Sequence, residues 1–141
     1  GDEQKLRRVI LCFVNNAIKF SEEGCITLVF TARKEEYGVN LSVKVKDTGI
    51  GIEDENLEKL FSSFNQVDTK RNRQEGGIGI GLAISKRIIS KMGGFISVRS
   101  TFGKGSEFQF VVPQKVVDER PMIAVRNAER INIISYINIF C

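Results

Sequence analysis

The stretch Leu41-Ser42-Val43-Lys44-Val45-Lys46-Asp47-Thr48-Gly49-Ile50-Gly51 decides the fold class. Leu41, Val43 and Val45 alternate with Ser42, Lys44 and Lys46, which is the period of a half-buried strand. The alternation ends on a carboxylate, and two glycines follow within four residues. A strand that runs directly into a glycine turn leaves Asp47 at the strand end, facing whatever the turn lines. Just upstream, Ile26, Leu28 and Phe30 alternate with Thr27, Val29 and Thr31. The polar segment 35–40 between the two runs predicts a β-hairpin.

Further outward, the period changes. Leu6, Val9, Ile10, Phe13, Val14 and Ala17 recur at helical spacing, so residues 3–20 read as an amphipathic helix. Asp2 and Glu3 stand where a helix N-terminus favours negative charge. Glu23-Gly24 ends this segment. Downstream of the glycine turn a short helix is expected over 54–61. Residues 65–77 are polar and basic without a period and read as a mobile loop. Gly79-Ile80-Gly81 opens another helix, with Leu82, Ala83, Ile88, Ile89 and Met92 apolar and Gly93-Gly94 as its stop. Strands are expected over 95–100 and 107–112, joined through Phe102-Gly103-Lys104-Gly105 and closed by Pro113.

Three segments follow from this pattern: one folded unit over 1–113, a charged linker over 114–121 and a tail over 122–141. In the tail, 122–125 reads as a strand and 129–141 as a helix. Ile133, Ile134, Ile137 and Phe140 would give that helix an apolar face with little to pack on, as at the start of a following domain.

Composition excludes several classes. With 141 residues, 42% hydrophobic and 27% charged, the chain has material for one core. The longest uncharged run, 131–141, falls short of the roughly 20 residues of a membrane span, so neither a span nor a signal peptide is expected in these residues. Three cysteines without ligand spacing read as free thiols in a reducing cytoplasm. Zero histidines remove the Ser-His-Asp and Cys-His nucleophile pairs and most zinc sites. The net charge of +4 is spread along the chain, with one tight cluster at Lys70, Arg71 and Arg73. A nucleic-acid interface needs a clustered basic face, so none is expected.

Three constellations can carry chemistry. Gly49 and Gly51 allow a tight turn and a close approach to a flat ligand. Gly77, Gly79 and Gly81 precede a helix, whose free N–H groups attract phosphate. No Gly-Lys-Ser/Thr closes that segment and no parallel βαβ unit surrounds it, so it is neither a Walker loop nor a dinucleotide fingerprint. Asp47 either caps its own turn or accepts a hydrogen bond from an exocyclic amine such as that of adenine. On the first helix, Cys12, Asn16 and Lys19 share a sector of roughly 60° at one border of the apolar stripe. That sector is either a solvated face or a place where an amide oxygen meets Mg²⁺ and a lysine meets phosphate.

The combination is more specific than its parts. Asn16-Ala17-Ile18-Lys19-Phe20, Asp47-Thr48-Gly49-Ile50-Gly51, Leu60-Phe61-Ser62-Ser63-Phe64 and Gly77-Ile78-Gly79-Ile80-Gly81-Leu82 occur in this order. The pattern resembles the N, G1, F and G2 boxes of the catalytic ATP-binding domain of sensor histidine kinases, over residues 1–113. Ala83-Ile84-Ser85-Lys86-Arg87, Met92-Gly93-Gly94 and Gly103-Lys104-Gly105-Ser106 support it. The likeness is to hybrid kinases that carry a receiver domain after the catalytic domain.

The resemblance implies an α/β two-layer sandwich: a mixed, mostly antiparallel sheet, helices on one face and a flexible ATP lid. It implies ATP and Mg²⁺ as cofactors, with Asn16 as the metal ligand and Lys19 and Arg73 on the phosphates. Phe20 packs near the adenosine, Asp47 binds the adenine amine, and Gly49, Gly51 and Ile52 shape that pocket. Phe61 and Phe64 anchor a lid over 65–76. Gly77, Gly79, Gly81 and Leu82 form the lid hinge and phosphate cradle, and Ser106 lies on the strand behind the adenine. The partners implied are a histidine-bearing dimerisation domain of the same protein and a receiver domain or response regulator, with neither nucleic acid nor direct membrane contact. The implied activity is transfer of the ATP γ-phosphoryl group to a histidine outside this chain; a weakly active nucleotide-binding pseudokinase is the alternative. Two departures stand out. ATP-hydrolysing relatives carry a glutamate at the position of Cys12, and Ile78 replaces a small hydroxyl residue. The family also usually has a strand before Asp2. The tail over 122–141 resembles the opening strand and helix of a receiver domain, but Val125-Arg126-Asn127 stands where such domains carry paired acids, which implies a degenerate receiver; an irregular tail is the alternative.

Overall fold

A computed structural model describes residues 2–57, 59–61 and 80–116, together with the backbone of 134–140. Helix α1 (Glu3–Phe20) starts at Asp2, whose side chain accepts from the Lys5 N–H at 3.1 Å. Strands β1 (Ile26–Glu35) and β2 (Gly38–Asp47) form the expected hairpin, longer than the sequence indicates, with pairing from Ile26↔Asp47 to Glu35↔Gly38. The loop is correspondingly short. Its ends are clasped by Tyr37 Oη donating to Asn40 Oδ1 at 2.6 Å and Asn40 Nδ2 donating to Glu35 Oε1 at 3.2 Å.

Helix α2 (Asp54–Leu57) is a single turn, shorter than the 54–61 expected. Helix α3 (Gly81–Lys91) ends where the Gly94 N–H bonds the Ile89 carbonyl at 2.9 Å and Gly93 takes φ +78°. Strands β3 (Phe95–Thr101) and β4 (Gly105–Gln114) follow. The sheet order is β3-β4-β2-β1-β5, and the described strand pairs are all antiparallel.

The fifth strand corrects an expectation. Residues 129–141 were expected to be helical, yet Ile134–Phe140 forms β5 and pairs with β1. Helical spacing and strand alternation both fit a short isoleucine-rich run, so periodicity does not arbitrate. β-branched and aromatic residues fit a pleated surface, and the outer edge of β1 offers unpaired N–H and C=O groups. The expected strand over 122–125 lies outside the described residues. Free thiols were a second expectation, and it fails at Cys25, which is disulfide-bonded. Cys12 is free, and Cys141 is outside the described residues. Spacing along the chain does not encode which cysteines are oxidised.

The two main helices lie on one face of the sheet. Val9, Phe13 and Ala17 of α1 and Ile89 of α3 are buried against Ile26 and Leu28 of β1, Val43 and Val45 of β2, and Phe108, Phe110 and Val112 of β4. Phe13 is the hub, with its ring centroid 5.4 Å from Phe108 and 6.1 Å from Phe110. The opposite face of the sheet is polar. There Lys44 pairs with Glu107 at 3.2 Å, and Gln109 Nε2 donates to Ser42 Oγ at 2.8 Å.

Candidate nucleotide site

Asp47 ends β2 on the helix-covered face and is only 4% exposed. Two backbone donors share one of its oxygens: Gly49 N–H at 2.9 Å and Ser106 N–H at 3.2 Å, both to Oδ1. Among the described residues, Oδ2 has no partner. Burial pushes the Asp47 carboxyl above its ordinary value, while those two N–H groups pull the other way. Of the two sequence readings of Asp47, the turn cap is seen directly: Oδ1 accepts from Gly49 two residues on.

The turn after Asp47 is docked on the end of α1. Ile50 N–H donates to the Phe20 carbonyl at 3.0 Å, and a Cβ on Gly49 would run into that same carbonyl. Gly51 takes φ +69°, and a Cβ there would collide with the Thr101 carbonyl. These glycines thus permit backbone-to-backbone approach, which brings the turn against both α1 and the β3–β4 connection. Gly103 N–H completes the clasp by donating to Ile50 O at 2.7 Å. Gly105 matters equally: at φ +112° it lies where a Cβ would strike the Asp47 carbonyl.

Asn16 and Lys19 sit on the last turns of α1, half-buried, on the helix that carries the docked Phe20. Among the described residues the Asn16 amide makes no hydrogen bond. Lys19 Nζ lies 5.5 Å from the centroid of the Phe20 ring. Beside the same turn, Ser21 Oγ is buried without a partner, 2.7 Å from where a Gly49 Cβ would stand. One turn back, Cys12 packs on the start of α3, with its Sγ 2.9 Å from where a Gly81 Cβ would stand. Burial pushes the Cys12 thiol up, and a hydrogen bond with Ser85 opposes the shift. The N-cap residue of α3, Ile80, makes no side-chain cap bond.

The structure thus gathers Asn16, Lys19, Phe20, Asp47, Gly49, Gly51, Ile52, Gly81, Leu82 and Ser106 around the end of α1, the β2 turn and the start of α3. Phe61 packs against the core, with Lys86 Nζ 5.5 Å from its ring centroid. Phe64, Arg73, Gly77, Ile78 and Gly79, with the lid over 65–76, lie outside the described residues. Two open grooves of about 380 and 480 Å³ run along the N-terminal half of α1 and do not reach Asp47. No group of three or more acidic, cysteine or histidine ligands for a metal occurs among the described residues.

Sequence reasoning missed Ser100. Its Oγ accepts from Ile52 N–H at 2.8 Å, donates to the Gly105 carbonyl at 2.9 Å and lies 3.0 Å from Ser106 Oγ. The available signal was its parity: Ile96 and Val98 share its face, so Ser100 is a polar residue at an inward position. Thr48 was also missed, and its Oγ1 accepts from Cys25 N–H at 3.0 Å.

Residues 1–116 match the family model described as histidine kinase-, DNA gyrase B- and HSP90-like ATPase. The chain is 46% identical over 109 residues to the sensor histidine kinase GacS of Pseudomonas protegens, covering 77% of this chain and 12% of that protein. It is 40% identical over 111 residues to the signal transduction histidine-protein kinase BarA of Escherichia coli, covering 78% and 12%. Among solved structures, full-length ShkA in complex with AMPPNP superposes with a TM-score of 0.66 at 37% identity, covering 80% of this chain and 22% of that one. The chain therefore spans about an eighth of the length of the curated relatives it matches.

Proposed function

The chain belongs to the family of histidine kinase-, DNA gyrase B- and HSP90-like ATPases, and on that footing we propose that it is the ATP-binding catalytic domain of a two-component sensor histidine kinase. One observation carries the reading. The 3.0 Å bond from Ile50 N–H to Phe20 O docks the Asp47 turn on the end of the Asn16 helix, which supports one site shared by the two. A purine seated there meets a carboxylate with one oxygen fixed by backbone and one left to accept from an exocyclic amine. Its phosphates extend toward Lys19 and the start of α3, where positive charge and helix N–H groups offset their charge. Arg73 adds a second cation from the lid segment.

Asn16 suits Mg²⁺, a hard cation that takes few protein oxygens and keeps most of its waters. Its amide is half-buried and without a partner, and no competing thiolate or imidazole set stands among the described residues. Bound with the triphosphate, the ion supplies charge neutralisation. What this chain's own residues contribute is orientation of the base, alignment of the phosphates and electrostatic support for phosphoryl transfer, which needs positioning more than covalent help.

The nucleophile comes from elsewhere, because the chain has zero histidines. The acceptor is a histidine on a dimerisation domain of the same protein, and the phosphoryl group passes from there to a receiver domain or response regulator. Water is a poor competitor for the γ-phosphoryl group. The position of the hydrolytic glutamate is filled by Cys12, a thiol whose pKa burial raises, so it stays protonated and is no base at neutral pH.

The test mixes this chain with the histidine-bearing domain of its own protein and γ-labelled ATP. Acid-labile, base-stable label on that domain is the expected result, lost in Asn16→Ala. Nucleotide binding without label supports the regulatory-module reading, which Cys12 and Ile78 favour. Absence of nucleotide binding refutes both.

A further inference from the structure

Ser100, Ser106 and Asp47 form a row across β3, β4 and β2. Ser100 pairs with Ser106 in register, and Ser106 N–H reaches Asp47 Oδ1. A serine hydroxyl has one proton to give and two lone pairs to receive. The Gly105 carbonyl can only accept, so at 2.9 Å it takes the Ser100 proton. Ile52 N–H fills one lone pair of Ser100 at 2.8 Å. The 3.0 Å contact between the two hydroxyls then has one direction left: Ser106 donates and Ser100 accepts. Ser100 is thereby saturated, and the proton of Ser106 is turned away from Asp47. The Ser106 oxygen and Asp47 Oδ2 are each left as acceptors, on two residues joined by the Ser106 N–H bond to Oδ1.

Resting on the nucleotide reading above, we infer that Ser100 is a positioning residue that sets base selectivity: it holds the Ser106 proton and so keeps the Asp47–Ser106 edge acceptor-only. Such an edge matches a 6-amino purine and opposes a 6-oxo purine, whose oxygen would face two acceptors. Without the Ser100 hydroxyl, the Ser106 proton is free to rotate toward the base. An edge that can donate no longer discriminates, because a hydroxyl serves either partner. The same hydroxyl ties the Ile52 segment to the β4 start, so the wiring couples the pocket floor to its polar edge.

The test is a titration of ATP, GTP and purine riboside triphosphate, which lacks any 6-substituent, against wild type, Ser100→Ala and Ser100→Thr. For Ser100→Ala, GTP affinity is expected to rise relative to ATP by up to about tenfold, the effect of one redirected hydrogen bond. Purine riboside triphosphate should change less than about twofold, and the ATP-over-GTP preference should narrow. Ser100→Thr, which restores the hydroxyl on a strand, should recover the preference. Equal weakening of ATP and purine riboside triphosphate, or an unchanged ATP-to-GTP ratio, overturns the inference, since a merely structural residue does not distinguish bases. Should Ser100→Ala lose its cooperative unfolding transition, Ser100→Cys carries the same comparison with a much weaker donor and acceptor. If wild type binds none of the three, the nucleotide reading falls and this assignment with it; if wild type binds ATP and the ratio is unmoved, only the assignment falls.

Discussion

Asp47→Asn separates binding from folding at one atom. The amide keeps an Oδ1 that can accept from Gly49 and Ser106 at 2.9 and 3.2 Å, so the turn retains its two bonds. The second oxygen becomes an NH₂ donor that faces the adenine amine. Losing a charge-assisted hydrogen bond removes about 1.5–3 kcal/mol, and two opposed donors add a further ~1–3 kcal/mol. A total of at least about 2.5 kcal/mol is roughly a hundredfold or greater loss of ATP affinity. Stability should move the other way. Burial raises the Asp47 carboxyl above its ordinary 3.8, so the folded state holds its proton to higher pH than the unfolded chain does. Stability from this group is therefore full below the ordinary value and is lost as pH rises through the raised one. At neutral pH the buried carboxylate is a standing cost, and Asp47→Asn removes it. Calorimetric titration with ATP, paired with urea denaturation at acid and neutral pH, reads both effects. Binding within about threefold of wild type, or a variant less stable than wild type at neutral pH, would refute this account of Asp47.

Other substitutions probe the frame around the site. Phe13→Ala empties the hub between α1 and the Phe108–Phe110 pair, and should cost about 3–5 kcal/mol in urea denaturation. Gly51→Ala forces a side chain at φ +69° into the Thr101 carbonyl; a loss of about 2 kcal/mol or more is expected, with weaker ATP binding as the turn leaves α1. Alkylation of Cys12 by iodoacetamide should be slow at neutral pH and accelerate only above the ordinary thiol range, because burial raises its pKa. A fast neutral reaction, followed by mass spectrometry of the α1 peptide, would contradict the described burial.

Much of the site was legible in the sequence because its parts are local. The Asp47 turn announces itself by an alternating strand that stops on a carboxylate and two glycines. Asn16 and Lys19 are placed by the helical period of α1, and the start of α3 by Gly79 and Gly81. Ser100 was not legible in the same way. Its role depends on Gly105 and Ser106 across a strand pair and on Ile52 from a separate turn, and no spacing rule links these positions. Beyond the close approach the sequence suggests, Gly49 and Gly51 make room in the fold for the carbonyls of Phe20 and Thr101.

What one chain's order of residues determined by itself was each element with its own period: α1, the β1–β2 hairpin, α3 and the β3–β4 pair. Their hydrophobic stripes are intrinsic to the covalent sequence, and so were the candidate ligands that sit beside them. The tail shows the other case. The run 134–140 suits a helix or a strand nearly equally, and the open edge of β1 decided it by offering backbone hydrogen bonds that a lone helix face could not match. The state of Cys25 and the direction of the Ser106 proton belong with it. Each depends on which distant groups come within bonding distance, and that follows from how the strands pair and the turns dock, which no local spacing encodes.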